Sequence, residues 1–242
     1  MSGEVHGLPE FYAGPPGRVA ARMLRRRLRE LWPDCSGLDV AVLGWGAPYL
    51  GLWRNQPGKR LALAPAGLGP MAWTGRRGNA AATVQETHLP LPDRSLDRLL
   101  LVHALEASEQ TRALLRECWR VLRDDGRLLA VAPNRLGWWS FFDHTPFGQG
   151  RPYSPGQLKG LLEAQLFHVR RRDSALCVPP FPWHFALKGA AAWEVAGRAV
   201  PRFAGLVLLE AEKDLFAALP AGAVAVRRRA VMPVPSGVRR DL

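Results

Sequence analysis

Leu89-Pro-Leu-Pro-Asp-Arg-Ser-Leu-Asp97-Arg-Leu-Leu-Leu-Val-His103-Ala-Leu-Glu106 is the stretch from which the fold is read. Its run Leu99 to Val102 is short, apolar and uninterrupted, as in a strand buried on both faces. His103 and Glu106 follow directly, at the carboxyl end of that strand, where open α/β sheets bind their ligands.

Working outward, Thr111 to Leu122 sets Leu114, Leu115, Cys118, Val121 and Leu122 on one face, with Arg112, Arg116, Glu117, Arg120 and Arg123 elsewhere. That pattern predicts a helix lying on a sheet. Asp124-Asp125-Gly126 predicts a turn and Arg127 to Ala132 a second buried strand. Upstream, Val40 to Leu43 reads as a strand stopped by Gly44-Trp45-Gly46. Pro48 can open a helix that runs to Arg54, because proline suits the first helical turn. Leu61 to Ala64 is another short strand, and 65–78 is irregular, rich in glycine and proline. Arg18 to Leu31 places Val19, Met23, Leu24, Leu28 and Leu31 at helical spacing and ends before Pro33. Beyond the second strand lie an aromatic loop, a helix from Pro155 to Leu166, a strand from Val169 to Leu176, a helix through Ala186 to Val200 and a strand through Leu206 to Ala211.

Strands alternating with helices in this way predict an α/β fold, a doubly wound and mostly parallel sheet with helices on both faces. The expected organisation is an N-terminal helical cap at 1–36, a main domain at 37–219 with an aromatic lid at 136–157, and a Pro/Arg-rich tail at 220–242.

The chain has 242 residues, a formal charge of +12 and three cysteines, Cys35, Cys118 and Cys177, without metal-ligand spacing. Nor do the six histidines form a ligand set. No long uncharged apolar run occurs and Met1 to Glu10 has no leader pattern, so a cytoplasmic protein without membrane insertion is expected. The basic residues are nearly all arginine, with lysine only at Lys59, Lys159, Lys188 and Lys213, a bias that a GC-rich genome also produces. They cluster at Arg22 to Arg29, Arg170 to Arg172, Arg227 to Arg229 and Arg239 to Arg240. Clustering leaves open a weak contact with nucleic acid or an anionic surface.

Three segments, in order, resemble the class I S-adenosylmethionine-dependent methyltransferases, especially the type 11-like group acting on small molecules. They are Val40-Ala-Val-Leu-Gly-Trp-Gly-Ala-Pro-Tyr-Leu50, the stretch from Leu89 to Glu106, and Leu115 through Arg120-Val-Leu-Arg-Asp-Asp-Gly-Arg-Leu-Leu to Pro133-Asn134. With Tyr153-Ser154-Pro155 opening a helix, the resemblance spans Tyr12 to Lys213. It implies a seven-stranded Rossmann-like sheet and S-adenosylmethionine as cofactor. Gly44, Gly46, Ala47 and Tyr49 would then lie at the methionine carboxylate, Gln85 or Glu86 at the adenine amine, Pro65 near the ribose, and Tyr12 over the cofactor.

Two departures from the family matter. Pro48 stands where a third glycine is usual and offers no N–H. Leu61-Ala-Leu-Ala-Pro65-Ala66 lacks the acid that grips the ribose, a loss worth roughly 10- to 150-fold in affinity. A carbonyl near Pro65, or the loop from Trp73 to Arg77, would have to substitute. The missing acid, with Tyr49 at the third glycine of a dinucleotide fingerprint, also argues against a dehydrogenase.

Methyl transfer from a sulfonium needs alignment and sometimes a base. His103 is the candidate base, and a structural histidine at the strand end is the alternative. In the lid, Trp139, His144, Arg151 and Tyr153 are candidate substrate contacts, with Arg151 suited to an anionic acceptor and Tyr153 or His144 to orienting it. Val178 to His184 would cover the same pocket. These features support methylation of an unidentified small molecule. The alternative is a catalytically degenerate relative that binds or regulates.

Overall fold

The computed structural model describes residues 7–46, 48–68, 79–142, 145–177 and 203–215. Seven strands form one sheet: β1 (Val40–Gly44), β2 (Arg60–Pro65), β3 (Asn79–Val84), β4 (Leu96–Val102), β5 (Leu122–Pro133), β6 (Phe167–Ala175) and β7 (Leu206–Lys213). Their spatial order is β3-β2-β1-β4-β5-β7-β6. The first five strands are mutually parallel, and β7 runs antiparallel to both β5 and β6. The order reverses between β1 and β4, so a crevice opens beyond the carboxyl ends of those two strands.

The central strands carry apolar residues on both faces because both faces are covered. On one face, α2 (Pro15–Leu31) buries Met23, Leu24, Leu28 and Leu31 against Val40, Val42, Leu100 and Leu129. On the other, α3 (Thr111–Val121) and α4 (Pro155–Glu163) pack Leu114, Leu115, Leu158 and Leu162 on Ala41, Leu99 and Leu128. Ser154 and Gln157 close α4 with a reciprocal capping box, as Ser-Pro-Gly-Gln should. No helix among the described residues is long and apolar enough to cross a membrane.

Sequence and structure differ after β1. In place of a helix from Pro48 to Arg54 there is a single 3-10 turn, Leu50–Leu52. Tyr49 and Leu50 both donate to the Gly46 carbonyl, and the chain then passes Gly51 and Pro57-Gly58, which oppose helix propagation. The buried Arg60 binds carbonyls of this connection and of the segment before β1. Its guanidinium reaches the carbonyls of Leu38 (2.8 Å), Cys35 (3.1 Å) and Pro57 (3.2 Å), and its Nε that of Trp53 (3.2 Å).

Asp124-Asp125-Gly126 lies within the residues assigned to β5, yet the pairing with β4 jumps from Leu122 to Arg127. Residues 123–126 therefore bulge from the ladder and act as the expected turn. The expected helix at 186–200, the tail at 220–242 and the loop from Trp73 to Arg77 lie outside the described residues.

Candidate functional site at the sheet rim

β1 ends in Gly44, whose φ is 103°, and a Cβ there would collide with the carbonyl of Val102 on β4. Gly46 is constrained less severely and by packing alone, since its Cβ would sit 2.9 Å from the Val42 side chain. Both glycines are thus required by the close approach of the turn to the sheet. The backbone donors of the turn are engaged internally: Trp45 N–H donates to the Val102 carbonyl (2.8 Å) and Gly46 N–H to that of Gly44 (3.1 Å). Pro48 has none, and Ala47 lies outside the described residues.

α1 (Leu8–Ala13) lies over this rim. The Tyr12 hydroxyl sits 2.9 Å from that of Tyr49 and 2.8 Å from His103 Nε2, and His103 Nδ1 is 3.0 Å from Glu106 Oε1. Tyr49, His103 and Glu106 are each at most 1% exposed. A carboxylate at Glu106 accepts the Nδ1 proton, leaving Nε2 to accept from Tyr12, whose oxygen accepts from Tyr49. Burial pushes both phenols well above their usual range, and at Tyr12 the neighbouring Tyr49 adds to the effect, so both remain donors. His103 holds this place in a left-handed backbone conformation, φ 54°, uncommon for a residue with a side chain.

Rings close the remainder. The Tyr12 and Trp45 rings are nearly parallel, with centroids 6.3 Å apart, and Phe147 lies 4.9 Å from the His103 ring. Trp45 also joins Leu8 and Leu68 in a small apolar cluster, so the end of β2 abuts hydrocarbon. Of the three buried side-chain polar atoms without a hydrogen-bond partner among the described residues, two lie at this rim, Trp45 Nε1 and Glu106 Oε2. Each unmet group costs about 1–3 kcal/mol, which makes this rim a place where a polar ligand or water would be stabilised.

The structure brings Tyr12, Gly44, Gly46, Tyr49 and His103 together, all at the rim. Pro65 is buried at the end of β2. Glu86 instead accepts from the Ser108 hydroxyl (2.7 Å), and Gln85 is exposed, its backbone bridged to His88. Trp139 is buried beside Phe11 and Phe147 and is a wall of the core. Arg151 and Tyr153 lie on the side of the rim facing α3, where the Tyr153 hydroxyl donates to the Leu105 carbonyl (3.2 Å). His144 and the segment from Val178 to His184 are outside the described residues. Sequence reasoning did not mark Trp45 or Phe147 as rim residues; a tryptophan between the two turn glycines was the available signal. No group of three His, Cys, Asp or Glu among the described residues could hold a metal ion.

The arginine clusters divide. Arg27 is buried and paired with Glu30 and Asp173, and Arg170 pairs with Glu212. Arg22, Arg25 and Arg29 line a groove of about 710 Å³ with Arg18 and Pro48. The clusters beyond residue 215 lie outside the described residues.

Residues 72–130 match the family model described as a methyltransferase domain. No curated protein matches significantly. Among solved structures, a SAM-dependent methyltransferase from Thermotoga maritima, titled a possible histamine N-methyltransferase, is similar with a TM-score of 0.62, 17% identity, and coverage of 85% of this chain and 94% of that one. A structure of the Haloferax volcanii Trm112 methyltransferase activator in complex with a methyltransferase is similar at TM-score 0.59 and 18% identity, covering 86% and 97%. The [4+2]-cyclase SpnF is similar at TM-score 0.55 and 18% identity, covering 80% of each chain.

Proposed function

Starting from a chain whose residues 72–130 match a methyltransferase-domain model and whose fold is similar to that of S-adenosylmethionine-dependent methyltransferases, we propose a methyltransferase-fold protein whose cofactor crevice is closed by its own side chains and which acts by binding or regulation. The observation that carries this is the Tyr12 hydroxyl seated between Tyr49 and His103 beneath α1. S-adenosylmethionine is the cofactor that the family implies, and in this conformation the residues do not fit it. Its carboxylate needs free N–H groups at the glycine turn. Those of Trp45 and Gly46 are bonded within the protein and Pro48 has none. Its ribose needs acceptors at the end of β2, and Leu68 there packs on Trp45 and Leu8. Admission of the cofactor requires α1 to lift and the tyrosines to part.

A second reading, a methyltransferase for a small molecule that opens by such a motion, is favoured by the linked His103–Glu106 pair at the rim. In that state, His103 Nε2, freed from Tyr12, is the one basic nitrogen of the rim chain able to take a proton from an acceptor, with Glu106 holding the ring by Nδ1.

Titrating S-adenosylmethionine and S-adenosylhomocysteine while following thermal unfolding separates the two. The closed-rim reading expects no shift at millimolar ligand. Stabilisation rising toward about 2.7 kcal/mol at a hundredfold excess over Kd overturns the closed-rim reading and favours the second.

A further inference from the structure

Four arginines that the rim network does not use converge from three parts of the chain on one cavity of about 820 Å³. Arg112 and Arg116 stand on the first turns of α3, Arg135 follows the end of β5, and Arg151 lies in the loop before α4. Glu109 is the one acid among the described residues of the lining. The side chains of Arg112, Arg135 and Arg151 have no ion pair among the described residues, and Arg116 is steadied by Gln165 (3.3 Å). Elsewhere the described arginines are often paired, as in Arg120 with Asp93 and Glu117, or Arg94 with Asp124. A composition rich in arginine explains many guanidiniums; it does not explain their gathering around one concavity with a single carboxylate.

The backbone fixes this arrangement. Arg151 N–H donates to the Glu106 carbonyl (3.1 Å), and Arg135 N–H to that of Tyr153 (3.1 Å). The two segments bearing Arg135 and Arg151 are therefore tied to each other and to the end of β4. Gly150 permits the approach, with φ 73° and no room for a Cβ against the Glu106 backbone. The volume lies within the range of small-molecule sites. Planar guanidiniums bind carboxylate and phosphate oxygens in pairs, and four of them favour a ligand with two or more negative charges. The positive end of the α3 dipole adds to that field.

We propose that this cavity is a binding site for a small polyanion, a molecule carrying phosphate or clustered carboxylate groups. The site lies on the α3 and α4 side of the sheet rim and does not depend on whether the crevice beneath α1 admits a cofactor.

The test is calorimetric titration of the whole chain with pyrophosphate and, separately, citrate, at constant ionic strength. One saturable site is expected, weakened about tenfold or more by Arg135→Gln and by Arg151→Gln, each loss removing a charge-assisted contact. Both side chains are exposed, so the variants should melt as the parent does. Arg94→Gln, remote from the cavity, should bind as the parent does. Absence of saturable binding, or equal weakening by Arg94→Gln, overturns the site. A single-stranded RNA oligonucleotide that binds more tightly than pyrophosphate, and is lost in the same two variants, also overturns it in favour of a nucleic-acid surface.

Discussion

Replacing Tyr12 by phenylalanine removes one oxygen from the rim and leaves two buried groups without a partner. The Tyr49 hydroxyl and His103 Nε2 each have Tyr12 as their hydrogen-bond partner at 2.9 and 2.8 Å. An orphaned buried polar group costs about 1–3 kcal/mol, and Tyr12 itself is half-buried, so water relieves part of the loss. About 2–3 kcal/mol is the expected destabilisation, or roughly 4–12 °C in Tm for a chain of this length. Urea unfolding measures it, and Tyr12→Phe with Tyr49→Phe completes a cycle. The double variant should cost about 1 kcal/mol less than the two losses added, because removing Tyr49's hydroxyl removes the orphan. The same substitution separates the two roles of Tyr12. If α1 closes the crevice, S-adenosylmethionine binds the variant about 30-fold more tightly than the parent, following 2 kcal/mol lifted from the closed state. If Tyr12 grips the cofactor, binding weakens. A variant within 0.5 kcal/mol of the parent, with no coupling to Tyr49, would refute the docked network altogether.

Three further outcomes follow from the same contacts. Gly44→Ala should destabilise by more than the about 1–3 kcal/mol of a strained φ, since its Cβ also meets the Val102 carbonyl; chemical unfolding reads this, and a neutral result removes the packing account of the turn. Glu117 has its carboxyl held below the usual value by hydrogen bonds from the Arg120 side chain, and the Leu89 N–H adds to the effect. A depressed folded pKa gives stability that is present above about pH 4.5 and lost as pH falls through the folded value, so Glu117→Gln should be less stable at pH 7 and show a shallower decline in acid. Saturable pyrophosphate binding that is sensitive to Arg135 and Arg151 is the third.

Much of the sheet was legible because buried parallel strands are written as continuous apolar runs, as in Leu99 to Val102 and Leu128 to Ala132. β3 was not read as a strand in its own right. Asn79-Ala-Ala-Ala-Thr-Val84 is an edge strand with Ala80 to Thr83 exposed, and it carries neither bulk nor alternation. The helix expected after β1 failed because proline at a first turn permits a helix without requiring one. What replaces it depends on Arg60, whose partners lie up to 25 residues away. The rim was half legible. Tyr12, the two glycines and Tyr49 were placed there by resemblance and His103 by its position at a strand's carboxyl end, but a link from Tyr12 to His103 spans 91 positions and leaves no local pattern.

The stretch from Leu89 to Glu106 is held in the sheet by contacts of its own. Leu89 N–H donates to Glu117 (2.8 Å), and the Leu89 and Leu91 carbonyls accept from Arg120 (2.9 and 2.8 Å). Asp97 accepts from the Asp39 N–H (2.7 Å) before β1 and pairs with Arg123 before the main ladder of β5. These contacts fasten α3 to the segment before β4 and tie the starts of β1, β4 and β5 together through protein groups alone. Gly44 and Gly46 are likewise demanded by Val102 and Val42. Nothing comparable in the sheet requires a carboxylate at the end of β2, where Pro65 and Leu68 are buried. The packing of the sheet therefore accounts for Gly44, Gly46 and Asp97 by itself, and it leaves the residue type at the end of β2 free of any demand for an acid.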